Sequence, residues 1–134
     1  IYTKDGQFVL NTASSEQCLT NIEFNKKGSE VFCSGRTLYK TDASFLLNTS
    51  NADQCESNMN YSSQGVKFFC SGRTIYNGKD FVVNTESPRQ CDVNQQAISL
   101  GSDRICSGRT LYNLQGQFIL NTSSAEQCET QILL

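Results

Sequence analysis

The chain has 134 residues, a formal charge of −2 and a pI near 5.0, so it is one ordinary domain in length with no basic surplus to hold a phosphate backbone. Its apolar residues make up 37% and come singly or in threes such as Phe8-Val9-Leu10. No stretch approaches the roughly 20 residues that a bilayer span needs, so nucleic acid and a membrane span are both argued against.

Reading from the first residue, the chain opens at Ile1 without an apolar leader, which reads as a mature chain or a piece of a longer one. Tyr2 ends a strand, Lys4-Asp5-Gly6 makes a turn, and residues 7–11 form a second strand. Thr/Ser-rich residues then lead into Glu16-Gln17-Cys18, which reads as a single helical turn capped by a hydroxyl side chain. A weaker strand is expected from Asn21-Ile22-Glu23-Phe24. The alternation over residues 31–39 predicts one extended strand, with Val31, Cys33, Gly35, Thr37 and Tyr39 on one face.

The same order then recurs. Cys33-Ser34-Gly35-Arg36-Thr37 returns as Cys70-Ser71-Gly72-Arg73-Thr74 and as Cys106-Ser107-Gly108-Arg109-Thr110. Asn-Thr, followed a few residues later by Gln-Cys, occurs at Asn11, Asn48, Asn84 and Asn121. The segments are 1–37, 38–74, 75–110 and an incomplete 111–134, a tandem array with a period of about 36 residues. Asn77-Gly78 shortens the turn of the third copy to a two-residue hairpin signal. The strand after each turn repeats as Phe45-Leu46-Leu47, Phe81-Val82-Val83 and Phe118-Ile119-Leu120. Pro88 opens the third capped turn, where its missing N–H costs least. The expected class is all-β: each unit a small disulfide-stapled antiparallel meander, with a β-solenoid of one unit per rung as the alternative.

Seven cysteines in so short a chain point to an oxidising compartment, and so do the sequons at Asn48, Asn60 and Asn121. The chain is therefore expected to be secreted, extracellular or on a cell surface, with N-glycans. Two pairings suit the cysteine spacing. Cys18–Cys33, Cys55–Cys70 and Cys91–Cys106 close loops of constant length and leave Cys128 unpaired for a bond to another chain. Cys33–Cys55, Cys70–Cys91 and Cys106–Cys128 link successive turns and orphan Cys18. The constant loop favours the first.

With no histidine in the chain, a Ser-His-Asp or Cys-His nucleophile and an H-E-x-x-H metal site are impossible. Phosphate and dinucleotide loops are absent too, so the chain is expected to be no enzyme and to take no cofactor or metal. The repeated Arg36, Arg73 and Arg109 read as strand arginines paired with the acid before Gln-Cys, Glu16 or Asp53, rather than as a binding site. The repeated Tyr2, Tyr39, Tyr76 and Tyr112 read as strand packing.

The run Cys18-x-x-Asn21-Ile22, then Cys33, Arg36-Thr37 and Phe45-Leu46-Leu47-Asn48, resembles the first part of a cyanovirin-N repeat. It lacks that family's later Gly-Asn and Gly-x-Leu-x-Trp segment. The resemblance implies mannose-type glycan binding near Gln17 or Arg36-Thr37. Taken together, the residues predict a structural or adhesive extracellular protein, a fibre or surface-layer subunit that assembles with itself head to tail by strand complementation. A multivalent carbohydrate-binding lectin is the alternative.

Overall fold

Four polar side chains decide where the chain becomes helical. Ser14, Asn51, Ser87 and Ser124 hold extended backbone at φ −155°, −164°, −159° and −159°, and their side-chain oxygens accept the N–H of Gln17, Gln54, Gln90 and Gln127. Each glutamine reaches back in turn. Its Oε1 accepts the backbone N–H of Ala13, Ser50, Glu86 or Ser123, a variant of the capping box. From these caps the computed structural model, which describes residues 1–134, runs into α1 (Ser15–Lys26), α2 (Ala52–Ser63), α3 (Pro88–Ser99) and α4 (Ala125–Leu133).

Glycine ends the helices. Gly28 and Gly101 take φ of +106° and +102°, and the following Ser29 and Ser102 donate their N–H to the carbonyls of Phe24 and Ala97. Gly28 and Gly101 themselves donate to Asn25 and Ile98, which completes a Schellman closure at each end. The expected single turn is therefore a full helix, and Asn21-Ile22-Glu23-Phe24 lies within α1 rather than in a strand.

Three antiparallel sheets alternate with the helices: β1 (Val31–Ser34), β2 (Thr37–Lys40) and β3 (Phe45–Asn48); β4 (Phe68–Ser71), β5 (Thr74–Asn77) and β6 (Asp80–Asn84); β7 (Arg104–Ser107), β8 (Thr110–Asn113) and β9 (Phe118–Asn121). Each follows chain order as a three-stranded meander. The single strand expected over residues 31–39 is broken at its centre. Ser34 pairs with Thr37, so Gly35-Arg36 is a two-residue hairpin loop, and Gly35, Gly72 and Gly108 hold φ of +60°, +59° and +60°. Glycine at the first central position is the type II′ requirement, which explains the motif. Likewise Asn77 pairs with Asp80, so Gly78 at φ +63° is the first residue of its loop.

With helices between the sheets, the architecture is alternating α and antiparallel β, which corrects the all-β expectation. The antiparallel meander itself is present, and the sheets neither close into a barrel nor coil into a solenoid.

Residues Ile1–Gly65 form one compact unit and Val66–Leu134 a second. In the first unit α1 and α2 pack on one another and on β1, with Leu38, Leu47 and Met59 buried. Ahead of α1, a Tyr2–Phe8 bridge closes a short hairpin. In the second unit α3 touches β4 and β5 on one side and β7 on the other, and α4 lies on β7 and β8. Ile75, Cys70, Cys91 and Ile105 form one core cluster there, and Leu111, Cys106, Cys128, Ala97 and Ile132 another.

The disulfides follow the second pairing scheme. Cys33–Cys55, Cys70–Cys91 and Cys106–Cys128 are closed, with Cα separations of 5.9, 6.1 and 5.9 Å. The expected Cys18–Cys33, Cys55–Cys70 and Cys91–Cys106 bonds do not form, Cys128 is bonded, and Cys18 is the free thiol. The physical reason is the helix. Cys55, Cys91 and Cys128 sit on helices that pack against the preceding sheet, so each bonds the strand cysteine before it in the chain, while Cys18 has no strand cysteine ahead of it.

Candidate functional site

The outer face of each sheet is built by one irregularity. Leu38 pairs with Leu47 but Tyr39 pairs with Phe45, so Leu46 is an extra residue in β3. The same shift leaves Val82 extra in β6 and Ile119 extra in β9. In a regular strand, residues three apart point to opposite faces. The bulge cancels that alternation and brings Phe45 and Asn48 to the same side, opposite Tyr39 and Thr37, which lie two apart on β2.

The result is a two-row pattern. In one row Tyr39 and Phe45 meet edge to face with ring centroids 6.3 Å apart, and the pair recurs as Tyr76–Phe81 at 6.3 Å and Tyr112–Phe118 at 6.4 Å. Tyr2–Phe8 repeats it in the N-terminal hairpin at 6.0 Å. Inward of the tyrosines, Phe32, Phe69 and Ile105 pair across on the first strand and are buried. The phenylalanine of each Tyr–Phe pair is left in solvent: Phe8, Phe45, Phe81 and Phe118 are 59%, 58%, 61% and 61% exposed. In the second row the Thr37, Thr74 and Thr110 hydroxyls donate to Asn48, Asn84 and Asn121 Oδ1 at 2.7, 2.6 and 2.7 Å. An exposed ring beside a hydroxyl–amide pair can stack on an apolar ring face and hydrogen-bond its polar rim. The expectation that the tyrosines serve strand packing holds for their inner side alone.

The other repeated residues are structural. Arg36, Arg73 and Arg109 donate Nη1 to the carbonyls of Thr49, Thr85 and Thr122, and those threonine hydroxyls donate back to the arginine carbonyls. Each arginine thus ties its hairpin loop to the strand end ahead of the next helix, and the expected pairing with Glu16 or Asp53 is replaced by a carbonyl contact. Gln17 Nε2 donates to the Gly35 carbonyl and its Oε1 accepts the Gly35 N–H; Gln90 does the same at Gly108. Asn21 and Asn94, fully buried, grip Cys33 and Cys106 through both backbone groups at 2.8–2.9 Å. These amides behave like an extra backbone strand lying against the hairpin.

Charge is sparse around these features. Arg89 and Glu129 pair at 2.8 Å between α3 and α4, where Gln90 Nε2 also donates to Glu129. A cavity of about 390 Å³ opens between Leu100–Arg104 and the end of α4, with Asp103 and Arg104 3.8 Å apart at its rim. No helix is long and apolar enough to cross a membrane. No family model, curated protein or solved structure matches the chain.

Two signals in the sequence mark what the strand reading missed. A glycine stands 14 residues after each of the caps Ser14, Asn51 and Ser87, at Gly28, Gly65 and Gly101, which is the length of one capped helix. Tyr and Phe also keep company in every copy across the variable turn, which a cross-strand contact explains.

Proposed function

We propose that this chain is a non-catalytic extracellular repeat protein with a structural and adhesive role, a subunit of a fibre or surface layer. The observation that carries the reading is the alternation of two kinds of joint. In the second unit a disulfide ties β4 to α3, the Gln90 and Asn94 amides tie α3 to the next sheet, and a further disulfide ties β7 to α4. Loops spanning 22, 21 and 22 residues are locked by sulfur and cannot lengthen under tension. Load along the chain then falls on the hydrogen-bonded joints, which break and reform. The last strand of each sheet, such as β3, has no neighbouring strand on its far side, whereas the β1 edge is taken by the Asn21 amide, and an unpaired edge pairs with a strand of another copy. The three intrachain disulfides fit an oxidising compartment.

Electron microscopy of the native material, with and without reductant, tests the proposal. Filaments whose axial period matches a few repeats support it; isolated particles at every concentration overturn it. Because Cys128 is already bonded to Cys106, reductant acts by loosening the repeats themselves.

A second reading, a multivalent carbohydrate-binding protein, is favoured by the exposed Phe45, Phe81 and Phe118 rings beside the Thr–Asn pairs. Identical weak sites gain avidity through repetition. Binding of the dispersed monomer on a glycan array, lost in the Phe81→Ala variant, selects this reading.

A further inference from the structure

The three sequons sit in different surroundings, and only two of them keep the shape that modification requires. Transfer of an oligosaccharide to asparagine uses the side-chain nitrogen together with the hydroxyl two residues on, and both belong on accessible, non-helical backbone. Asn48 and Asn121 are the last residues of β3 and β9, exposed at the strand end ahead of a helix cap, and their hydroxyl partners Ser50 and Ser123 are exposed as well. Asn60 lies inside α2. Its partner Ser62 is 7% exposed, and the Ser62 hydroxyl oxygen accepts the Glu30 N–H at 2.9 Å.

The bulge adds a second observation. It sets Phe45 on the face of Asn48 and Phe118 on the face of Asn121, each ring about three-fifths in solvent. A sugar attached at the asparagine has an aromatic ring on the same strand side, opposite the β2 position two residues along, and its C–H groups can pack on that π-surface. The Thr37–Asn48 and Thr110–Asn121 hydrogen bonds use Oδ1, so they survive a bond made at the nitrogen and hold the amide in place.

We propose that Asn48 and Asn121 are N-glycosylation sites whose first sugar rests on the Tyr39–Phe45 and Tyr112–Phe118 pairs, and that Asn60 stays unmodified. In the transfer the amide nitrogen attacks C1 of a lipid-diphosphate-linked oligosaccharide. The C1–O bond breaks, the lipid diphosphate leaves, and the amide gives up one proton. The glycans cover two of the four aromatic pairs. Tyr2–Phe8 and Tyr76–Phe81 remain bare, because Asn11-Thr12-Ala13 and Asn84-Thr85-Glu86 lack the hydroxyl at the third position. Repetition of the face with alternate coverage leaves specified copies open for contact with a partner.

The test is the full chain secreted from eukaryotic cells behind a leader, with site occupancy read by mass spectrometry after enzymatic deglycosylation in heavy-oxygen water. The leader supplies the modifying machinery whatever the native compartment, so failure here is separable from failure of the extracellular assignment. Occupied Asn48 and Asn121 with a bare Asn60 is the expected result. Asn60 occupied as fully as Asn48, or Asn48 and Asn121 both bare, overturns it. Glu86→Ser completes a sequon at Asn84 on an identical bulged strand, and that asparagine becomes occupied; a bare Asn84 counts against the strand-end geometry. For the ring contact, Phe45→Ala is compared in glycosylated protein and in the sugar-free Ser50→Ala background. The expected fall in melting temperature is about twofold larger with the sugar present, and equal falls remove the stacking claim.

Discussion

Ala43 stands where two of its counterparts are glycine. In the β2–β3 turn it takes φ +71°, while Gly6 and Gly116 hold +82° and +81° in the matching turns. A side chain there meets left-handed strain that glycine avoids. Ala43→Gly should raise stability by about 0.5–1 kcal/mol, read from urea denaturation midpoints, since relief of strain outweighs the added freedom of the unfolded chain. The converse change at Gly116 is worse than its angle suggests, because an added Cβ would lie 2.7 Å from the Val82 carbonyl oxygen. Gly116→Ala should therefore lower the midpoint by more than Gly6→Ala, whose Cβ has nothing within 4 Å. In the same Ala43 turn, Asp42 accepts the hydroxyl and then the N–H of Ser44, and these bonds hold its carboxyl below the usual value of 3.8. A depressed folded pKa stabilises at pH above the unfolded value, and that contribution is lost as pH falls through the folded one. A carboxylate titration by NMR should place Asp42 low, and Ser44→Ala should move it upward.

At the scale of elements, the helices were hidden by what they bury. Sequence periodicity looks for apolar residues at helical spacing, but α3 turns Gln90, Cys91, Asn94, Gln95 and Ala97 inward, so most of its buried stripe is polar. Those amides are affordable in a core because every one engages a backbone group or side chain, such as Gln95 at the Phe68 carbonyl. Asn94→Ala would leave the Cys106 N–H and carbonyl without their amide partners in a dry site. The expected loss is about 2–4 kcal/mol, measured by chemical denaturation, against little change for a surface control such as Gln96→Ala. Removing the disulfide partner of the same helix acts through the unfolded chain. Cys70→Ala with Cys91→Ala should cost about 3 kcal/mol in the loop-entropy picture. Both effects fall on one helix, so the combined perturbation should cost less than the sum of the two if the joints support each other, because each single change already forfeits the shared coupling.

At the scale of the molecule, both disulfides and both amide clamps of residues Val66–Leu134 close within that unit. A fragment covering 66–134 should fold by itself, with two disulfides and dispersed amide signals. Disordered spectra from the oxidised fragment would show that its cores need the first unit. The free Cys18 makes a further distinction: thiol labelling of the native chain should modify this residue and spare the other six.

The sequence by itself showed the recurring motifs, the antiparallel turn between the second and third strand of each sheet and the helix caps, because each is carried by residues a few positions apart. Ser-x-x-Gln reads as a cap and Asn77-Gly78 as a turn whatever lies beyond them, but Gly35, read into one long strand, turns out to be a hairpin loop that only its positive φ reveals. Only the tertiary structure decided three other things. It paired Cys33 with Cys55 rather than Cys18, because a strand cysteine bonds to the helix that packs on its sheet. It turned the polar Gln-Asn stretches into helices, because their amides find backbone partners only on a neighbouring hairpin. It also set Phe45 beside Asn48, because a one-residue bulge against β2 reversed the alternation that period-two reasoning assumes.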